Sequence, residues 1–130
     1  MRERVSVARV GRLATVNASG APHLVPFCFA LDGDVLYSAV DAKPKKTQRL
    51  QRLQNAAREP RVSVLVDHYE EDWARLWWVR LDGQAHELTP GPEAERAIAL
   101  LAAKYSQYRE RPPGGPVLRI DLQRWRGWSA

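Results

Sequence analysis

The segment from His23 to Leu31 is apolar and extended, with His23, Val25, Phe27, Phe29 and Leu31 on one face and Leu24, Pro26, Cys28 and Ala30 on the other. Both faces are therefore expected to be largely buried. A β-prone stretch from Arg12 to Val16 precedes it, separated by Asn17-Ala18-Ser19-Gly20, whose glycine is free to take a positive φ, so the two runs read as a hairpin. Pro26 has no N–H for a ladder, which places it at an edge or a bulge where a ligand could approach. Asp32-Gly33-Asp34 makes the next tight turn, and Val35 to Ser38 returns as a third strand.

Periodicity then changes. A helix is predicted from about Pro44 to Arg58, with Leu50, Leu53 and Ala57 facing the core, Gln48, Arg49 and Arg52 outside, and Glu59-Pro60 as the stop. Arg61 to Val66 alternates as a fourth strand. From Arg75 to Leu88 the chain reads either as a hairpin turning at Asp82-Gly83 or as one long strand with a glycine bulge, and the bulge is preferred. Thr89-Pro90 opens a second helix with a buried stripe of Ala94, Ile98, Leu101, Ala102 and Tyr105. RERPPGGP, from Arg109 to Pro116, is a surface loop, and Val117 to Leu122 is a last strand before an Arg-Trp-Arg-Gly-Trp tail. The first ten residues fit a short amphipathic helix or a first extended segment. Three strands, a helix, two strands, a helix and a strand, with short connections, predict a mainly β (α+β) protein: a six-stranded antiparallel barrel with flanking helices.

Composition narrows this picture. At 130 residues the chain is expected to be one domain, 1–130, small enough that an extra interface would help it. No apolar run is long enough to span a bilayer, no signal-peptide pattern opens the chain, and the one cysteine, Cys28, cannot form an internal disulfide, so the cytoplasm is expected and a membrane is not. A formal charge of +5 calls for an anionic partner: nucleic acid, an acidic membrane or a phosphorylated small molecule.

The charge is unevenly spent. Only four of the twenty cationic residues are lysines, and Lys43, Lys45 and Lys46 stand together around Pro44 at the predicted start of the basic helix. The first-turn amides of a helix attract anions, and the hydroxyls of Ser38 and Thr47 flank the entrance, so the segment reads as a phosphate site, with a solvated basic helix as the alternative. No nucleophile elbow, Walker loop, dinucleotide fingerprint or cysteine pair is present. His23, His68 and His86 lack ligand spacing, so no metal site is expected. Adjacent Trp77 and Trp78 must point to opposite faces of their strand, one into the barrel and one toward a flat ring or a partner subunit. Exposed aromatics with basic residues also describe single-strand nucleic-acid binders, but here they are not interleaved with the basic helix, and nucleic acid is not the expected partner.

Taken together, GRLATVNASGAPHLVPF, LYSAV leading to KKTQRL, EPRVSVLVD and WWVRLDGQAHEL resemble the flavin and deazaflavin oxidoreductases built on the pyridoxamine 5′-phosphate oxidase-like split barrel. More narrowly, the chain is similar to members thought to use coenzyme F420. The resemblance covers nearly the whole chain and rests on the order and spacing of loose motifs. It implies a split barrel with the cofactor at a homodimer interface. It places Lys46 and Thr47 at the phosphate, supported by Lys43 and Ser38, and the backbone of Val25, Pro26 and Phe27 against the ring. Trp77 or Trp78 would line the pocket, from either subunit. The implied activity is F420-dependent hydride transfer to a small-molecule acceptor with no catalytic side chain, FMN being the alternative cofactor and a non-catalytic carrier the alternative role. His23-Leu24-Val25-Pro26 stands where an Arg-led strand is expected in true pyridoxamine phosphate oxidases, which speaks against that activity.

Overall fold

The computed structural model describes residues 1–40 and 46–130, with side chains from residue 51 onward in the helix that starts at Lys46. Seven strands lie among the described residues: β1 (Gly11–Val16), β2 (Pro22–Phe27), β3 (Ala30–Asp32), β4 (Val35–Ala39), β5 (Arg61–His68), β6 (Trp77–Leu88) and β7 (Val117–Ser129). Four helices accompany them: α1 (Arg2–Val7), α2 (Lys46–Arg58), α3 (Pro92–Lys104) and α4 (Ser106–Glu110). The strands form one antiparallel sheet in the order β2-β1-β5-β6-β7-β4-β3.

That order dictates the shape. The two edges of the sheet are β2 and β3, and on the chain only Cys28 and Phe29 separate them. A sheet whose edges are joined by two residues must curl until they meet, which gives a barrel left open along one seam, the predicted split barrel. The strand count is seven rather than six because the expected second strand breaks at this joint. Its first half pairs with β1 and its second with β4, and one straight strand cannot serve both edges. Phe29 there lies outside the ladders, and its backbone is satisfied by side chains: its N–H donates to the Tyr105 hydroxyl at 3.2 Å, and its carbonyl accepts from Lys104 Nζ at 2.9 Å.

The core divides in two. Leu13, Phe29, Leu36, Val64, Val66, Leu81 and Ile120 fill the barrel, while Tyr37, Ala39, Ala97, Leu101 and Val117 pack between α3 and the sheet. The expectation that both faces of the second strand are buried fails for β2, where Pro22, Leu24 and Pro26 are exposed. Among the described residues no helix packs extensively against β2, an edge strand.

β6 is unbroken, so the bulge reading holds: the β6–β7 register shifts between Asp82 and Gly83, leaving Gln123 as the extra residue. A Cβ on Gly83 would sit 2.2 Å from the Asp121 carbonyl oxygen, which is why glycine stands there. The expected C-terminal tail is strand instead, because β6 is long enough to pair it through Ser129. Along α2, Leu53 is buried as expected, but Ala57 is exposed and Ala56 and Asn55 take the inner positions. α3 begins at Pro92 with Gly91 before it, not at Thr89-Pro90, and Ala97 rather than Ala102 completes its buried stripe. The predicted loop from Arg109 begins inside α4. Among the described residues no helix is long and apolar enough to cross a membrane.

Candidate functional site

Two features meet at the seam. The free edge of β2 borders it, since β2 is hydrogen-bonded only to β1. Ala30 pairs with Tyr37, so the last residues of β4 run past the joint where β2 ends and deliver the chain toward α2. That exit is fixed: the Val40 N–H donates to the Pro116 carbonyl at 2.9 Å, and the Gly115 N–H to the Val40 carbonyl at 3.0 Å. The approach is so close that a Cβ on Gly115 would lie 2.3 Å from the Val40 oxygen. Gly115 of the surface loop is therefore a clamp on the strand that leads toward α2.

The predicted site residues distribute as follows. Ser38 is buried on the same strand face as Leu36, toward the barrel interior. Phe27 is buried in the barrel and Val25 packs against it, while Pro26 faces outward and is exposed. These three side chains point to opposite faces, so what they can jointly offer a ligand is backbone along the edge. Lys43 lies outside the described residues. Lys46 and Thr47 form the first residues of α2 by their backbone.

α2 is anchored by a buried polar network. Asn55, fully buried, donates from Nδ2 to Thr15 Oγ1 at 2.9 Å and accepts from Gln51 Nε2 at 2.8 Å and from Arg58 at 3.3 Å. Arg58 also reaches the Val16 carbonyl. This network fixes the helix, and with it the amides of its first turn, relative to β1.

The tryptophans separate as alternation requires. Trp77 packs against the barrel core, with His68 stacked on it at 6.5 Å and the Arg4 guanidinium 5.3 Å from its ring centroid. Trp78 points out, paired across the sheet with Trp128 and carrying Arg80 at 6.0 Å. Met1, Arg4, Trp78, Trp128 and Ser129 line an open cavity of about 420 Å³. Arg4, Met1 and Trp128 were not singled out in the sequence; the Arg-x-Arg spacing at Arg2 and Arg4 was the available signal, since Arg2 covers Trp125 at 4.5 Å as Arg4 covers Trp77. Trp78 stands three strands from β2, roughly 14 Å along the sheet at the usual strand spacing. Within one chain it does not join the β2 edge.

A second polar cluster lies where α3 meets the sheet. Glu93 accepts from the Tyr37 hydroxyl at 2.7 Å and pairs with Arg119, which also donates to Asp121 at 2.7 Å. The Tyr37 hydrogen bond, followed by Arg119, holds Glu93 below its ordinary range, and burial raises the Tyr37 phenol. Every member is used in docking α3, so the cluster is structural. No group of three or more metal-ligating side chains occurs among the described residues.

The seam thus offers an edge strand with free backbone groups, next to the exit toward a helix that begins at Lys46. Among solved structures, a conserved hypothetical protein of Mycobacterium tuberculosis is 24% identical with a TM-score of 0.79, over 98% of this chain and 81% of that one. An FAD-binding protein of Mesorhizobium loti is 24% identical with a TM-score of 0.69, over 97% and 87%. The heme storage protein HutZ of Vibrio cholerae is 15% identical with a TM-score of 0.74, over 98% and 90%. No curated protein matches the chain in sequence. The family model described as pyridoxamine 5′-phosphate oxidase matches residues 1–129, and the chain accordingly belongs to the pyridoxamine 5′-phosphate oxidase family.

Proposed function

We propose that the protein is a cytoplasmic homodimeric oxidoreductase that binds coenzyme F420 along the seam and serves hydride transfer to a small-molecule acceptor. The observation that supports this reading is an unpaired edge strand at the seam beside the exit toward α2, whose first described residue, Lys46, belongs to a stretch of sequence with three of the chain's four lysines. The tail's phosphate would lie on the α2 amides with Lys46, Thr47 and Lys43, supported by Ser38. The ring would lie against the backbone of Val25, Pro26 and Phe27. Trp78 would close the site from the second subunit, which accounts for its distance from β2 in its own chain. The bound deazaflavin supplies the hydride chemistry, and the chain supplies position, charge and exclusion of water, so no side-chain acid or base is assigned.

Titrating the purified protein with F420 and following cofactor fluorescence tests the reading. Saturable binding supports it; no binding rejects it. FMN is the second reading, favoured by the family and marked by a yellow preparation with a flavin spectrum. Tight F420 binding without turnover across a broad acceptor panel would identify a carrier instead.

A further inference from the structure

The free edge of β2 is chemically one-sided. Along an antiparallel strand the N–H and C=O of one residue point to the same side, and successive residues alternate sides. The Asn17 N–H donates to the Ala21 carbonyl at 2.9 Å, so Ala21 faces β1. The β1–β2 register runs without a shift from Val16 and Pro22 to Gly11 and Phe27. His23, Val25 and Phe27 therefore also face β1, while Pro22, Leu24 and Pro26 direct their backbone groups to the open side. The prolines agree with that phase, because a proline is accommodated in a strand where its missing N–H would point away from the ladder. They also leave the edge short of donors: it presents the carbonyls of Pro22, Leu24 and Pro26 but only the N–H of Leu24. Among the described residues none of these four groups has a hydrogen-bond partner. From the Leu24 carbonyl to the Pro26 carbonyl no donor intervenes.

We propose that Pro26 is a specificity-determining residue, which makes this edge select a ring carrying C–H at position 5, a 5-deazaflavin, over one carrying nitrogen there, an oxidised flavin. The inference rests on the proposed placement of the ring against Val25, Pro26 and Phe27. In an oxidised flavin N5 is an acceptor with its lone pair in the ring plane, and the adjacent carbonyl oxygen is a second acceptor. Together they call for two donors, and the edge has one. The unmatched lone pair would face carbonyl oxygens, which repel it, and an acceptor taken from water without a donor is costly. A C–H at the same position turns a weakly polarised hydrogen toward those carbonyls instead, and leaves one ring acceptor for the one Leu24 N–H. Pro26 thus acts through the hydrogen it lacks. Any other residue in its place would supply the second donor.

The test uses FMN and 5-deaza-FMN, which differ only at position 5 and share one phosphate, so the ratio of their dissociation constants cancels whatever the tail contributes. Both are titrated in their oxidised forms, by ligand fluorescence, against the intact chain and its Pro26→Ala and Pro22→Ala variants. The wild type should bind 5-deaza-FMN about tenfold or more tightly than FMN. Pro26 is exposed on an edge, and Pro26→Ala adds an N–H there, so it should bring the two ligands within about threefold, chiefly by tightening FMN. Pro22→Ala adds its N–H at the hairpin end of β2 and should keep the wild-type ratio. A wild-type ratio near one, a ratio unchanged in Pro26→Ala, or the same collapse in Pro22→Ala overturns the proposal while leaving F420 binding at the seam intact. If neither ligand binds the wild type, the placement of the ring is wrong, and the proposed function falls together with this inference.

Discussion

Single side chains at the two ends of the lysine inventory carry opposite expectations. If the start of α2 holds the cofactor's anionic tail, Lys46→Glu replaces an attraction with a repulsion, and F420 affinity should fall by about tenfold or more in a fluorescence titration. Arg96 is a poor comparison because it is paired with Asp32, so Arg111, exposed beyond α4, is the control. Arg111→Glu should leave affinity within about twofold, and equal losses at both positions would mark the lysine cluster as general surface charge. Lys104 makes a prediction about pH. Its folded pKa of about 8 lies below the 10.5 of a free lysine, so between those values the unfolded chain holds more protons and stability rises with pH. Tyr37 and Tyr105, both raised first of all by burial, act in the opposite sense but only above the ordinary phenol range near 10. Between pH 8 and 9.5 the urea midpoint of the wild type should therefore rise relative to that of Lys104→Met; parallel curves would show that the amine is solvated. Such residue-scale detail was largely invisible in the sequence. Lys104 sits at the end of a helix whose pattern says only that it is amphipathic, and the partner that matters, the Phe29 carbonyl, is 75 residues away and free to accept only because a strand breaks there.

At the scale of elements, what could be read in advance followed from local periodicity, and what could not followed from long-range pairing. The hairpin around Asn17 was legible because its turn is closed by neighbours: the Asn17 side chain accepts from the N–H groups of Ser19 and Ala21, both at 3.0 Å, and Gly20 takes a φ of +84°. The break at Cys28-Phe29 was not, since nothing within His23 to Leu31 shows that its two halves serve different edges. The face of α2 was misjudged by one position for a similar reason. Periodicity favours alanine and leucine for burial, whereas the fully buried residue is Asn55, whose place is set by Thr15, forty positions earlier. That network gives α2 its own prediction. Asn55→Ala leaves the Thr15 hydroxyl, itself 2% exposed, without its donor and Gln51 without its acceptor, and should cost about 1–3 kcal/mol in urea denaturation. Under the proposed function it should also weaken F420 binding, because the helix start is aimed by the helix's anchor. Full stability in this variant would mean that apolar contacts of Leu53 and Ala56 hold α2 alone.

For the whole molecule, strand registers assemble a surface that the sequence does not display. Pro26, Arg12, Leu65, Arg80 and Arg126 form one row across β2, β1, β5, β6 and β7, and the paired Trp78 and Trp128 stand beside it on the same face. Leu24, Leu65 and Trp128 are 67%, 39% and 49% exposed there, in one chain. A second copy meeting this face would bury apolar side chains that are otherwise wet and, under the proposed function, would bring Trp78 to the other chain's seam. Dimerisation and cofactor binding are then coupled, and one substitution should damage both. Under the proposed function the wild type is a dimer, and Leu65→Glu places a charge at the centre of the row, where burial without a partner is costly, so sedimentation equilibrium should show this variant as monomer. F420 affinity should fall with it, although Leu65 stands two strands, roughly 10 Å, from Pro26 on the β2 edge of its own chain. Ala99→Glu, exposed on α3 where that helix lies over β3 and β4, should change neither. If Leu65→Glu turned out monomeric with undiminished F420 affinity, the site would be complete within one chain, and Trp78 would have no part in it.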